Sequence, residues 1–503
     1  MALFTGTPSD DVMKPGELSP GVTAQPVGAV PSAAADTVNG LDGNDDIDGG
    51  GGGDSINGGA GDDAIEAAAS GSKVRGDAGA DVITIRHATD KVAGAVYGDA
   101  GDDSITFSSW PGEPTRPAGT LKLHGGAGAD VIVSEGTDPS DYSKLSIKTY
   151  GGDGDDRLEA LRLFTFSNVY SYAEAGNDTL YGGRGNDTYV VYGQEDTVVE
   201  AADEGVDTVE AVMTPYTLPA NVENLVVIPQ GAGLQNGHYS GNALNNVMTG
   251  SYVGDVIHGG DGNDTLYGYS DTRDDRDADT LYGDLGNDTI HGRSGNDRIY
   301  GGRSDNDRAD GDDTIYGGDG NDDVWAGGGN DTVEGGAGND NLYGQSGNDT
   351  LRGGDGDERV YGGTGNDTLY GDAGVDNVRG GEGLDRLSGG AGNDRFDYDA
   401  VTESRPGAST RDIILDFEGV GDASGDRIDL ATIDANAGRS GNQTFSFVGT
   451  AAFTGAGQVR VTGSGEDTLV QANTGGSLSP ELEIAVQDVA VQPEQWLASD
   501  FIL

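Results

Sequence analysis

From residue 308 to residue 397 the chain repeats one pattern of apolar and polar positions every nine residues. Apolar side chains recur at Ile315, Val324, Val333, Leu342, Leu351, Val360, Leu369, Val378, Leu387 and Phe396, each between polar or aromatic neighbours. The six residues that separate them, such as GGTGND at 362–367, are turn formers. Glycine accepts positive φ, and Asn and Asp bond back to nearby backbone. Each repeat therefore reads as six residues of turn and a three-residue strand with one inward side chain. One buried side chain per repeat does not offset the entropy of ordering the repeat alone, so repeats must stack. Two repeats make one coil, with turns on opposite edges. The expected fold class is all-β: a parallel β-roll or β-solenoid, capped by a small β-rich C-terminal domain.

A second register runs two places ahead of the apolar one. It falls on Asp313, Asp322, Asp331, Asp340, Asp349, Glu358, Asp367, Asp376, Asp385 and Asp394. Stacking would align these acids along each edge, Asp313 with Asp331 and Asp349, Asp322 with Asp340 and Glu358. The whole chain carries 87 acidic against 28 basic residues, a formal net charge of -59. Rows of bare carboxylates repel, and a hard divalent cation reverses the sign of that interaction. Calcium takes roughly six to eight oxygens in flexible geometry from carboxylates and backbone carbonyls, both of which a Gly- and Asp-rich turn supplies. Magnesium demands tight octahedral geometry and gives up water reluctantly. Multiple bound Ca2+ ions are therefore expected, each bridging successive turns on one edge.

These repeats resemble those of the repeats-in-toxin (RTX, hemolysin-type) family of secreted calcium-binding proteins. The resemblance implies that the repeat acid and glycine carbonyls bind calcium between coils. It extends the metal positions to Asp45, Asp54 and Asp63 near the start, and to Asp178, Asp187, Asp255, Asp264, Asp279, Asp288 and Asp297 in the middle. Two departures stand out. Glu358, in GGDGDERVY, has a longer side chain, and Asn246, in GNALNNVMT, lacks the charge. Residues 182–250 look like the longer module found between repeat blocks in such proteins. The stretch 396–430 resembles the domain that closes the roll of serralysin-type proteases. The ending Asp500-Phe501-Ile502-Leu503 is similar to a C-terminal export signal, which implies the type I secretion machinery as a partner and an extracellular or cell-surface location.

Six segments are expected along the chain. They are a degenerate half-repeat and linker (1–35), a first repeat block (36–66), a wider parallel β-solenoid (67–181), an inter-block module (182–253), the main roll (254–397) and the closing domain (398–503). In the wider segment the turn recurs at Asp81, Asp103, Asp130, Asp156 and Asp178, flanked by alternating apolar stretches such as VITI and SITF that suggest longer strands. Arg/Asp-mixed insertions interrupt the roll at 271–279 and 304–313.

With no cysteine, disulfides and thiolate metal sites are excluded. No apolar run reaches the length of a transmembrane helix, and the opening stretch lacks the charge pattern of a Sec signal. The acidic balance argues against nucleic acid as a partner. Cell-surface polysaccharide and self-association remain the open alternatives. None of His87, His124, His238, His258 and His291 has a second His four residues away, and GxSxG and Walker motifs are missing. His124 and His258 each precede Gly-Gly, as the Tyr of neighbouring repeats does, and read as strand-end side chains. The enzyme reading that survives is a polysaccharide lyase or epimerase using Arg86, His87, Lys122, His124, Tyr142, Lys144, Lys148 and Tyr150.

Overall fold

The computed structural model describes residues 2–15, 17–18, 22–25, 31–86, 91–108, 118–136, 144–163, 178–228, 236–269, 278–302, 310–422, 424–436, 438–465, 467–487 and 492–503. The described residues are almost entirely strand and turn, with two short 3-10 turns near the C-terminus. No described helix is long and apolar enough to cross a membrane. The chain forms two compact units, Met1–Leu244 and Asn245–Leu503.

In the second unit, strands of one edge follow one another in parallel through Thr314–Asp319, Thr332–Ala337, Thr350–Asp355, Thr368–Gly374 and Arg386–Gly392. Those of the other run through Asp323–Gly328, Asn341–Ser346, Arg359–Thr364, Asn377–Glu382 and Arg395–Asp397. Registry is in phase: Ile315 lies beside Val333, Val333 beside Leu351, Leu351 beside Leu369. Each of these side chains is at most 1% exposed, so the apolar register becomes a continuous buried column.

The strands are twice as long as the expected three residues. Thr350–Asp355 takes in both glycines of its repeat, and Gly354 pairs with Asp372 of the next coil. The pairing continues because Gly353, the second inward position, lets the next coil approach. A Cβ there would stand 2.5 Å from the Gly371 carbonyl oxygen. The turn glycine is constrained differently. Gly347 has φ +139, and a Cβ on it would overlap the Gly329 carbonyl of the preceding same-edge coil.

Exposed Asn residues tie the turns together in one direction along the edge. Asn348 N–H donates to Asn330 Oδ1 (3.0 Å) and Asn366 N–H to Asn348 Oδ1 (2.9 Å). Beyond the last repeat, Ile413–Ile414 and Arg427–Asp429 add one strand to each edge. An antiparallel sheet of Gln458–Ser464, Asp467–Asn473 and Leu482–Val486 follows. Phe501–Ile502 pairs in parallel with Arg427–Asp429, and Asp500 is buried, accepting from Gly421 N–H at 2.9 Å and Leu497 N–H at 2.7 Å.

The first unit is built on the same principle with broader coils. Ser70–Ala78, Lys91–Ala100, Ala118–Ala127 and Lys144–Asp153 run nine or ten residues each and stack in parallel. The opposite edge carries Val82–Arg86, Ser104–Ser108, Val131–Gly136 and Arg157–Leu163. Two inward apolar side chains on several strands, such as Ile83 with Ile85, Ile105 with Phe107 and Leu121 with Leu123, fill the wider interior. Most of the insertion at 271–279 and most of that at 304–313 lie outside the described residues.

Candidate metal-binding rows

Every repeat acid predicted as a ligand is at most 4% exposed, although these are the most strongly hydrated side chains in the chain. The backbone positions them. In each coil the N–H of the acid donates to Oδ1 of the acid in the next same-edge coil: Asp331 to Asp349 (2.9 Å), Asp349 to Asp367 (2.9 Å), Asp367 to Asp385 (2.8 Å). This ladder runs against the direction of the Asn ladder beside it. One row of the second unit passes from Asn246 through Asp264, Asp288, Asp313, Asp331, Asp349, Asp367 and Asp385 to Asp412. The other links Asp255, Asp279, Asp297, Asp322 and Asp340, then resumes as Glu358, Asp376, Asp394 and Asp426.

Only one carboxylate oxygen is used by this ladder. Oδ2 of Asp264, Asp288, Asp313, Asp322, Asp331, Asp340, Asp349, Asp367, Asp376, Asp385 and Asp394 is buried without a hydrogen-bond partner. In most turns the glycine five residues before the acid, lacking a Cβ, leaves a cradle beside that oxygen; Ala326 holds this place before Asp331. A Cβ on Gly344 would stand 2.5 Å from Asp349 Oδ2 and 2.6 Å from the Gly362 carbonyl oxygen. A hard cation is the group this donor set fits, since carboxylate and carbonyl oxygens converge there and no N–H answers them.

Burial raises these acids, and neighbouring acids add to it. Asp331, Asp349 and Asp367 are pushed up to about 7 and Asp313 to about 9, against the lowering effect of the backbone hydrogen bond. Left without a cation, the rows hold protons or repel.

The departures are local. Glu358 reaches past the ladder position: no N–H answers Oε1 or Oε2, its carboxyl lies against that of Asp376, and the row breaks between Asp340 and Glu358. At Asp255 the second oxygen is already answered by Ser251. The Ser251 N–H and hydroxyl both donate to its Oδ2, at 2.6 and 2.9 Å. Thr7 does the same for Asp11 and Ser32 for Asp36, so a short polar residue four positions upstream answers the second oxygen at all three places.

In the first unit Asp45, Asp63 and Asp187 share a row with four acids absent from the ligand set expected from sequence, Asp81, Asp103, Asp130 and Asp156. All seven have a buried, unpartnered Oδ2. The signal was present as Asp followed two residues later by an apolar side chain, and it also marks Asp207, Asp412 and Asp426. Asp178 corrects the expected order. It does not follow Asp156, whose N–H donates to Asp187 Oδ1, but sits on the opposite edge and accepts from Ile147 N–H at 2.8 Å. Between Asp54 and Asp178 that edge lacks ladder acids among the described residues. Ser72 Oγ takes the next ladder place, and Ile147 points inward where a repeat would carry Asp, because longer strands fill the space with apolar side chains.

His124 lies face to face between Tyr97 and Tyr150, with ring centroids 4.7 and 4.3 Å away. Burial, with Lys122 nearby, lowers its pKa. His258 stacks on Tyr282 in the same way (4.2 Å). Both are members of aromatic columns whose ring faces cover one another. Arg86 pairs with Glu66 at 2.6 Å. His87 and Tyr142 lie outside the described residues, as does the side chain of Lys144.

Parallel coils with rows of buried, one-sided carboxylates define a cation-structured β-solenoid. Residues 32–65, 122–138, 171–198, 240–272, 275–307, 309–333, 334–369 and 370–400 match the RTX calcium-binding nonapeptide repeat model. The chain is an RTX, hemolysin-type repeat protein, and its nonapeptides bind calcium at multiple sites. It is 44% identical over 90 residues to the endo-1,3-1,4-beta-glycanase ExsH of Rhizobium meliloti (strain 1021), a match covering 18% of this chain and 16% of that relative. The solution structure of the AlgE6R3 subunit from the Azotobacter vinelandii mannuronan C5-epimerase is 29% identical over 31% of this chain and 77% of that one, with a TM-score of 0.23.

Proposed function

We propose that this protein is exported unfolded by a type I system and folds outside the cell when calcium fills its rows. There it serves as an extracellular or surface-associated scaffold. The buried, unpartnered Oδ2 atoms along each edge carry this reading. In the low calcium of a cytosol, a chain of net charge -59 repels itself and stays threadable. Outside, each filled site adds about 2.7 kcal/mol when calcium is a hundredfold above its Kd. The twenty acids predicted from sequence are the proposed ligands, supplemented by Asp81, Asp103, Asp130, Asp156, Asp207 and Asp412. Asp255 is the weakest of them, since Ser251 already answers its second oxygen. Polysaccharide is the partner class suggested by the glycanase relative. Self-association is the alternative. The catalytic reading of 67–175 gains no comparable support, since His124 is committed to an aromatic column and Arg86 to an ion pair.

Limited proteolysis of the whole chain tests the proposal, once in chelator and once in millimolar calcium. Degradation throughout in chelator with protection in calcium is the expected outcome. A chain fully protected in chelator would refute calcium-driven folding.

A further inference from the structure

Near the end of its acid row, one step before Glu223 accepts from Asp207 N–H at 2.8 Å, the first unit departs from the nonapeptide scheme. Asp187 N–H donates to Asp207 Oδ1 at 2.8 Å, as in any ladder step, but a third acid reaches the same turn. Glu200 comes from the segment between strands Thr197–Val199 and Thr208–Ala211, which has no repeat turn of its own. One carboxylate oxygen from each of Asp187, Glu200 and Asp207 lies within 4.8 Å of the others. The three residues are 1%, 8% and 1% exposed, and Oδ2 of both aspartates is buried without a partner.

Glu200 is held there by a dedicated partner. Tyr189 occupies the apolar position two residues after Asp187, is fully buried, and donates its hydroxyl to Glu200 Oε2. Ala201 N–H donates to Oε1 at 3.0 Å, and Asn221 Nδ2 anchors the Glu200 carbonyl at 2.9 Å. A tyrosine here is otherwise costly, since Leu, Ile or Val fills this position in most repeats and needs no polar partner. Three converging carboxylates in a dry site cannot all ionise without a cation between them.

We infer that Asp187, Glu200 and Asp207 form a three-carboxylate calcium site, with Glu200 a ligand from outside the repeats, Tyr189 its positioning residue, and the highest calcium affinity in the first unit. The inference rests on the calcium reading above and adds a ligand that reading lacks. Affinity of oxygen sites for calcium rises with ligand charge and rigidity. Elsewhere in the row each step brings together carboxylates of successive turns only. This site is therefore the first to fill as calcium rises, and it orders strands Thr179–Arg184 through Thr208–Ala211 before the rest of the unit.

Hydrogen exchange of the full chain, followed by mass spectrometry through a calcium titration from chelator, tests this. Peptides within 179–211 should become protected at a lower calcium concentration than peptides within 37–86. Glu200→Gln should raise that midpoint about tenfold or more, while peptides within 332–392 keep theirs. Tyr189→Phe should raise it by a smaller factor. A Glu200→Gln midpoint within twofold of wild type overturns the proposal. Where Glu200→Gln leaves 179–211 unprotected at every concentration, Glu200→Asp decides. Protection regained with the shorter carboxylate supports a ligand, and protection lost in both makes Glu200 a structural prop and ends the proposal. Failure of 332–392 to respond to calcium would instead refute the general reading, whatever Glu200 does.

Discussion

Replacing Asp349 with Asn should stabilise the roll without calcium and lose most of that gain in calcium. Asp349 is 1% exposed; its Oδ1 accepts from Asp331 N–H and its Oδ2 has no partner. Burial foremost, then the charges of Asp367 and Asp312, push its pKa from 3.8 to about 7, against the lowering effect of the Asp331 hydrogen bond. A folded-state value above the unfolded one means the group favours the metal-free fold most below pH 3.8. That contribution is lost as pH climbs through about 7. At pH 8 the folded acid is ionised, at a cost on the order of 4 kcal/mol from three units at about 1.4 kcal/mol each. Asparagine keeps the Oδ1 acceptor and carries no charge. Asp349→Asn should therefore stabilise the calcium-free roll by roughly 2–4 kcal/mol at pH 8 and by almost nothing at pH 4. In calcium most of that gain is cancelled, because an amide nitrogen cannot ligate and a lost site forfeits about 2.7 kcal/mol at hundredfold excess. Hydrogen exchange of peptides within 332–392, at pH 8 in chelator and in millimolar calcium, reads both arms, and circular dichroism at pH 4 reads the third. A variant less protected than wild type in chelator at pH 8, or one with an unchanged calcium midpoint, would refute the reasoning.

Three further outcomes follow from the same geometry. Glu358→Asp should restore the missing acceptor for Asp340 N–H and raise stability in saturating calcium by about 1.5–3 kcal/mol in urea unfolding; a loss would show that the longer side chain is accommodated. Leu351→Ala opens a cavity in the column between Val333 and Leu369 and should cost about 3–5 kcal/mol in the same assay; a cost below 1 kcal/mol would mean the coils collapse around it. Leu41, 42% exposed with φ +95, sits across the ladder from Gly59. Leu41→Gly should raise the melting temperature through relief of about 1–2 kcal/mol of backbone strain, and a fall would disprove that the strain is real.

Much of this molecule follows from two interlocked registers, two residues apart, that each recur every nine residues. The apolar positions become the buried column, and the acids become the rows, because a strand of fixed rise places every equivalent residue over its predecessor. The spacing from Asp313 to Asp394 makes that legible without coordinates. Where spacing stretched, sequence reasoning lost its footing. Asp178 was set after Asp156 on spacing alone, and only strand pairing shows that Asp187 follows Asp156 while Asp178 lies on the far edge. Asp412 and Asp426 continue the rows beyond the last nonapeptide, on strands fixed by pairing with Arg386–Gly392 and Arg395–Asp397.

Sequence by itself determined the class of fold, the cation and the chemistry of its ligands, since each repeat carries its own turn formers, apolar anchor and acid. Tertiary structure decided which carboxylate oxygens are left without a hydrogen-bond partner, which acid Ser251 has already satisfied, and that Glu200 lies beside Asp187 and Asp207. Those facts depend on distances between residues from different coils, and a local pattern holds no information about side chains that meet only after the chain has wound.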